Sequence, residues 1–418
     1  MELLQVSGGV SLKGEYSPEG AKNAVLPIMA ASILLDGEII LHHVPDLTDV
    51  RAMCEILRRC GCTVWIEDDT ITIDTRNVAP REIPEELMKT MRASNLIWGP
   101  FLSRFGKADI PMPGGCPIGS RPMDIHIQGL RELGAEIEEH GGAFISRATR
   151  LQGNEIYLDF PSVGATENLI MAAALATGVT VLRNVAKEPE VVDLCCFLNK
   201  AGAKISGQGS DTIMIEGVKR LNSVEHTVVP DRIVAGTVLL AAVITGGDVL
   251  LRNVAPQDLE PVLAKLHEAG IKVWRSENTL RVKDCGRLKA LHLKTLPYPG
   301  FPTDIQPQFL AALVTAAGTS IIRESIFENR FQHCNELKKM GADIEVEGRL
   351  AVIKGVNSLE GAKVEAADLR GGAALLLAAL GAKGESQIGN IQHVDRGYNR
   401  VENIFNSLGA DIKRIVTY

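Results

Sequence analysis

Two hydrophobic periods alternate along this chain. Thr70-Ile-Thr-Ile-Asp74 switches between polar and apolar at every residue, which predicts a short half-buried strand; Glu38-Ile-Ile-Leu-His42, Cys62-Thr-Val-Trp-Ile66 and Val179-Thr-Val-Leu-Arg183 are short runs rich in β-prone residues and read as strands too. Between the strands lie helical patterns of two kinds. Residues 24–35, 168–176, 236–244 and 371–380 are apolar nearly all round, which predicts helices inside a core. The others end on one phrase, L-x-x-[LAMC]-G-[ACI]-x-[IV], with Phe for the first Leu once. Its glycine recurs at Gly61, Gly134, Gly202, Gly270, Gly341 and Gly409, an interval of roughly 70 residues. A glycine just past the last periodic residue suits a left-handed helix cap, because it has no Cβ to clash there. Each phrase therefore reads as a helix stop feeding a strand, and the repeating unit as β-α-β-α-β-β. Three such units bundled around their buried helices, with strands outside, form one lobe. Six give an inside-out α/β architecture of two similar lobes, divided near residue 230, just before Asp231.

Length agrees with this division, since 418 residues exceed what a single core usually serves. The formal net charge of -7 and the scattered Lys and Arg exclude a general attraction to nucleic acid. No apolar run approaches the roughly 20 residues needed to span a bilayer, and Met1-Glu2-Leu3-Leu4 lacks the basic start of a signal peptide. The expectation is a cytoplasmic protein with no membrane partner. Eight cysteines without CxxC spacing or a Cys/His ladder argue against a metal site and a disulfide framework. Cys54, Cys60, Cys62, Cys195, Cys196 and Cys334 accompany apolar helical patterns and read as small core residues.

Cys116 differs. It lies in Pro111-Met-Pro-Gly-Gly-Cys116-Pro-Ile-Gly-Ser-Arg121-Pro122, whose three glycines and four prolines predict a loop able to close over a ligand as a lid. A thiol five residues before Arg121 could have its pKa lowered by the cation and act as acid, base or nucleophile. The other reading is a surface turn with an incidental cysteine.

Ser17-Pro-Glu-Gly-Ala-Lys22-Asn23, Met91-Arg92-Ala-Ser94, the Pro-Gly-Gly-Cys116 loop, Asp159-Phe-Pro-Ser162-Val-Gly-Ala-Thr-Glu-Asn168, Pro230-Asp-Arg232, Gly300-Phe-Pro-Thr-Asp304, Phe327-Glu-Asn-Arg330-Phe, Asp368-Leu-Arg370-Gly-Gly and Asp395-Arg396-Gly-Tyr398 occur in this order. With them the chain resembles the UDP-N-acetylglucosamine enolpyruvyl (1-carboxyvinyl) transferases of the wider EPSP synthase/MurA family. The resemblance covers essentially the whole chain. It implies the two-lobe inside-out α/β barrel fold with a ligand cleft between lobes, residues 22–229 forming one lobe and 1–21 with 230–418 the other. It also implies transfer of the enolpyruvyl group of phosphoenolpyruvate to the 3'-hydroxyl of UDP-N-acetylglucosamine with release of phosphate, the first committed step of peptidoglycan synthesis. No cofactor is implied.

Phosphoenolpyruvate carries a phosphate and a carboxylate, and such a ligand is best held by several cations, guanidinium forks above all. By resemblance Lys22, Arg121 and Arg396 fill this role, and Arg92 and Arg370 are further basic positions; taken singly, each reads as an ordinary solvated charge. Cys116 is the thiol at the reacting centre, implicated as proton donor to C3, in product release and in a covalent phospholactoyl adduct, and its presence implies alkylation by the epoxide fosfomycin. Asp304 matches the base that takes the 3-hydroxyl proton; without the motif it reads as a helix N-cap. Asn23 matches a sugar contact. Pro122, Met123, Asp124 and Ile125, with Arg121 and Ser162, Val163 and Gly164, match the uridine diphosphate site, and Ile326 an aliphatic ligand contact. Three departures stand out: Asp46-Leu-Thr48 and Phe160 occupy places where some members carry lysine, and Trp98 is displaced from a sugar-stacking position. Rival readings are the shikimate-pathway enolpyruvyl transferase, which lacks the Gly-Gly-Cys loop, a non-catalytic sensor of the nucleotide sugar, and a scaffold built from the repeats.

Overall fold

The computed structural model describes residues 2–81, 83–112, 114, 118–119 and 122–416. They divide into two compact units. One comprises the described residues of 20–114 and 122–229; the other comprises 2–19, 118–119 and 230–416.

Each unit holds three sheets. In the 20–229 unit, strands Glu155–Tyr157 and Val179–Arg183 pair in parallel, and the antiparallel strands Thr212–Glu216 and Lys204–Ser206 follow across the sheet. Helix Val163–Ala173 links the parallel pair and helix Pro189–Lys200 precedes the hairpin. This is the expected β-α-β-α-β-β unit. The first sheet of this unit takes its parallel strand from Val224–Thr227, the last strand before residue 230, and the middle sheet has three strands, Lys107–Pro111, Glu136–His140 and Ala143–Arg147. In the other unit, strand Lys13–Tyr16 supplies the parallel partner of Asp248–Arg252, and Glu2–Ser7 sits between Glu385–Gly389 and Asp411–Val416. The first strands thus complete two sheets made from the second half of the chain. Among the described residues the strands form six separate sheets rather than one closed barrel, because each short ladder ends on an edge strand with no partner sheet.

The buried helices lie where the apolar patterns predict. Every residue from Ile233 to Val243 in helix Arg232–Ile244 is buried, as is every residue from Leu369 to Leu380 in helix Leu369–Gly381. An unpaired side chain with no solvent-facing side must be apolar or small, which is why these helices are mostly runs of Ala, Val and Leu; the exception, Arg370, is paired with Asp304. Outer helices keep one face: Thr48–Arg59 buries Val50, Met53, Cys54, Ile56 and Leu57 and exposes its arginines. All six repeat glycines have positive φ, from 87° at Gly270 to 104° at Gly202, as the left-handed cap requires.

Several boundaries differ from the sequence reading, the largest at helix Val163–Ala173, which begins five residues before residue 168 and ends three before residue 176. Helix Lys22–Ala31 begins two residues earlier than residue 24 and gives way to a 3-10 turn at Ser32–Leu34. Strand Thr63–Glu67 begins one residue later than Cys62. Pro111, assigned to the loop, is the last residue of strand Lys107–Pro111, paired with Ala143; a strand end tolerates a missing N–H, and the ladder continues with Met112 N–H donating to the Gly142 carbonyl.

Cys54, Cys60, Cys62, Cys195 and Cys334 are buried, Cys196 and Cys285 half-buried, and none is paired. Burial pushes Cys60, Cys62, Cys195 and Cys334 up to about 12, so they remain thiols at neutral pH. Among the described residues no helix is long and apolar enough to cross a membrane, and no cluster of His, Cys, Asp and Glu is arranged to hold a metal.

Candidate active site

Cys116 and Arg121 lie outside the described residues. The remaining candidates fall in both units.

In the 20–229 unit, Lys22 opens helix Lys22–Ala31 and is 9 % exposed, its Nζ 2.9 Å from Asp49 Oδ2 at the start of helix Thr48–Arg59. A buried ammonium needs such a partner to stay charged. Asn23 is the next residue of the same first turn, half-buried. Arg92 opens the 3-10 turn Arg92–Ile97 and points a guanidinium N–H at Met123 Sδ, 2.8 Å away. Met123 is the N-cap residue of helix Asp124–Glu132, with Pro122 before it and Ile125 half-buried after it. Ser162 caps helix Val163–Ala173 by accepting from the Ala165 N–H at 3.4 Å. A Cβ on Gly164 would lie 3.5 Å from His126 Cε1, so the starts of these two helices adjoin. Helix starts expose unpaired N–H groups and the positive end of the dipole, and two side by side favour an anion.

His126 is buried between them, 4 % exposed, its Nδ1 3.2 Å from Asn168 Nδ2. Asn168 in turn donates to the Asn95 carbonyl and accepts from the Gly99 N–H. Burial, and then the nearby Arg92, lower the imidazole to about 3. Trp98 is fully buried, stacked on Phe144 at 5.1 Å with its indole N–H on Ser146, which excludes it from stacking on a sugar. Asp46, in the place of a lysine, is exposed and paired with Arg51; Phe160 is 42 % exposed.

The other unit gathers a charge cluster from three segments of chain. Asp304 sits in the turn before helix Gln306–Leu313, whose N-cap residue is Ile305; Asp304 is therefore not the cap that its position after Thr303 allowed. Its carboxylate lies between two guanidiniums, Oδ1 2.8 Å from Arg330 and Oδ2 3.1 Å from Arg370. The arginine side chains are 2 % and 4 % exposed, that of Asp304 28 %, so the carboxylate is the part of the cluster that faces out. Arg330 also donates to the Thr303 carbonyl at 3.1 Å and stands 3.7 Å from Asp368. Asp368 caps helix Leu369–Gly381, accepting from the N–H groups of Arg370 and Gly371. For Arg370, burial disfavours the charged form, but Asp304, Tyr398 and Asp231 outweigh it and raise the pKa. Tyr398 is 2 % exposed; its hydroxyl is 2.9 Å from Thr237 Oγ1 and accepts from Gln308 Nε2 at 3.2 Å. Glu324, fully buried, accepts from Thr295, Thr303 and the Ile326 N–H, which fixes the half-buried Ile326 beside the cluster's turn. Arg396 ends the 3-10 turn Ile391–Arg396 and is half-buried; its neighbour Asp395 is held by Arg414. The Ile118 carbonyl accepts from the Asn329 N–H at 2.8 Å.

Residues 6–405 match the sequence profile described as EPSP synthase (3-phosphoshikimate 1-carboxyvinyltransferase). The chain belongs to the EPSP synthase family. Curated relatives include two proteins of Caldanaerobacter subterraneus subsp. tengcongensis. One, named UDP-N-acetylglucosamine 1-carboxyvinyltransferase 2, is 50 % identical over 417 residues, 100 % of both chains. The second, named UDP-N-acetylglucosamine 1-carboxyvinyltransferase 1, is 53 % identical over 405 residues, 96 % of this chain and 97 % of its own. This EPSP synthase family member is accordingly a transferase. Its fold is that of the enolpyruvyl transferase NikO from Streptomyces tendae, with a TM-score of 0.90 at 25 % identity over 100 % of this chain and 99 % of that one. EPSP synthase from Acinetobacter baumannii shares the fold at a TM-score of 0.78 and 20 % identity, both chains covered completely.

Sequence reasoning assigned no role to Asp49, His126, Arg330 or Tyr398. Arg330, Asp368 and Tyr398 stood inside quoted motifs, and that was the available signal; Asp49 and His126 had none.

Two buried neutral imidazoles make the fold sensitive to acid. His126 is held at about 3 and His333, also buried, at about 4, each by burial first; in an unfolded chain both would titrate near about 6.5. Between those values the unfolded chain binds protons that the folded one does not, so stability falls as pH drops below about 6.5, by up to about 1.4 kcal/mol per pH unit for each histidine. Above that pH they add no slope. Urea midpoints between pH 7 and 4.5 check this, and His126→Gln should flatten the decline.

Proposed function

We propose that the chain transfers the enolpyruvyl group of phosphoenolpyruvate to the 3'-hydroxyl of UDP-N-acetylglucosamine, releasing phosphate, as the first committed step of peptidoglycan synthesis in the cytoplasm. The observation that carries this reading is Asp304, an outward-facing carboxylate held between two buried guanidiniums in a chain half identical to full-length relatives of that name.

In this mechanism the sugar oxygen bonds to C2 of phosphoenolpyruvate, its proton passes to Asp304, and C3 gains a proton from Cys116. The tetrahedral adduct then loses a proton from C3 and breaks its C2–O bond to phosphate, restoring the double bond in the product. Holding Asp304 ionised is the task of Arg330 and Arg370; a carboxylate must be charged to accept the proton. Lys22, Arg92, Arg121, Arg370 and Arg396 supply cations for the donor's phosphate and carboxylate. The adjoining helix starts at Met123–Ile125 and Ser162–Gly164 suit the diphosphate of the acceptor, and Asn23 and Ile326 its sugar.

The test is phosphate release from phosphoenolpyruvate with UDP-N-acetylglucosamine as acceptor and shikimate 3-phosphate as control. Release is expected with the nucleotide sugar alone and should be abolished by fosfomycin, with a mass increase on the peptide bearing Cys116. Folded protein that releases no phosphate sinks the catalytic reading.

A further inference from the structure

Beneath the Asp304 cluster lies an imidazole whose ring nitrogens meet no side-chain partner at good hydrogen-bond geometry among the described residues, the Arg330 backbone being the one polar group that approaches it. His333 opens helix His333–Lys339 and is 1 % exposed. Asp368 Oδ2, from a residue also 1 % exposed, is unpaired. The two side chains share one closed space: a Cβ on Gly371 would lie 2.7 Å from Asp368 Oδ2 and 3.2 Å from His333 Cβ. A buried polar group without a partner costs about 1–3 kcal/mol, so an orphan donor packed beside an orphan acceptor is favourable if the two bond in another state of the site.

Arg330 defines that other state. Its guanidinium is 2.8 Å from Asp304 and 3.7 Å from Asp368 Oδ1, contested by two carboxylates. When Asp304 accepts a proton its charge is lost, and the pull of Asp368 on Arg330 goes unopposed. A hydrogen bond from His333 to Asp368 Oδ2 would spread the charge of Asp368 and weaken that pull. The charged groups facing His333 are Asp368, from the start of helix Leu369–Gly381, and Arg330. The two strands packed against helix His333–Lys339 turn Ile344 and Val364 inward and expose Asp343, Glu345, Lys363 and Glu365. We propose that His333 is a positioning residue that donates its ring N–H to Asp368 Oδ2 and thereby keeps Arg330 on Asp304; the inference rests on the role proposed for Asp304.

The experiment compares kcat against pH for the wild type, His333→Phe and His333→Asn, with melting curves for each. A base works only when ionised, so the acid limb reports its pKa. An opposite charge nearby lowers a carboxylate by about 1–3 units, so loss of one of two guanidiniums should move the limb of His333→Phe up by roughly one pH unit. KM for the nucleotide sugar should be unchanged. His333→Asn keeps an amide N–H and should restore the wild-type limb. A packing role would lower kcat at every pH without moving the limb; that result, or a limb displaced equally in His333→Asn, overturns the proposal.

A second arm needs no substrate. In the unliganded protein, nitrogen NMR of His333 should show its titration shifted to lower pH in Asp368→Asn, which keeps the helix cap but removes the carboxylate that favours the charged imidazole. An unchanged titration overturns the contact. This arm decides the proposal if His333→Phe does not fold, or if the wild type releases no phosphate and the proposed function itself fails.

Discussion

Asp304→Asn is expected to lower kcat for enolpyruvyl transfer by about 10²–10⁴-fold, the usual contribution of a positioned general base. The amide has nearly the shape of the carboxylate but cannot take the sugar's proton. Its second effect should have the opposite sign. Arg330 and Arg370, 2 % and 4 % exposed, would lose the charge they share, and their freed attraction would favour an incoming anion. KM for phosphoenolpyruvate should therefore hold or fall while kcat collapses. Steady-state kinetics at saturating acceptor separate the two. A loss in kcat below about tenfold would place the base elsewhere.

Arg330→Met is expected to destabilise the unit of residues 230–416 by about 3–5 kcal/mol, the usual cost of removing one partner from a buried ion pair. Methionine matches much of the volume, so packing is largely kept and the loss is electrostatic. Asp304 would retain Arg370, but Asp368 Oδ1 would lose its nearest guanidinium and Oδ2 is already unpaired. Arg330→Lys should recover only part, because a single ammonium cannot reach Asp304, the Thr303 carbonyl and Asp368 together as the planar fork does. Denaturant midpoints measure both variants. A loss under about 1 kcal/mol in Arg330→Met would show that the surrounding dipoles, not the guanidinium, compensate the two carboxylates.

What could be read along the chain was set by local physics. Period-two alternation marks Thr70–Asp74 as a strand because successive side chains point to opposite faces, and short runs rich in Ile, Val and Leu mark Glu38–His42 and Val179–Arg183. The all-apolar runs become the bodies of Arg232–Ile244 and Leu369–Gly381 because a helix with no wet side carries a charge only where it is paired, as Arg370 is in its first turn. The six phrase glycines adopt positive φ because a side chain would clash at that cap. Even the shift at residue 22 is local: a polar Lys22-Asn23 pair hides the start of an apolar helix from a reading based on hydrophobicity.

The candidate site was legible only as separate motifs. Asp304, Arg330, Asp368 and Arg370 announce that charge is present in three places, and resemblance to a family attaches roles to some of them. Which oxygen faces which guanidinium, that Asp304 alone of the four turns outward, and that His333 and Asp368 Oδ2 are left without side-chain partners follow from how the turn before Gln306–Leu313 and the starts of His333–Lys339 and Leu369–Gly381 pack together. The same packing holds Trp98 away from any ligand and His126 neutral. The sequence by itself determined the repeat, its strands and helices and the charges available, because those depend on neighbours a few residues away. Tertiary structure alone decided the pairing and burial of those charges, because Coulomb energies and desolvation depend on distances between residues far apart in the chain.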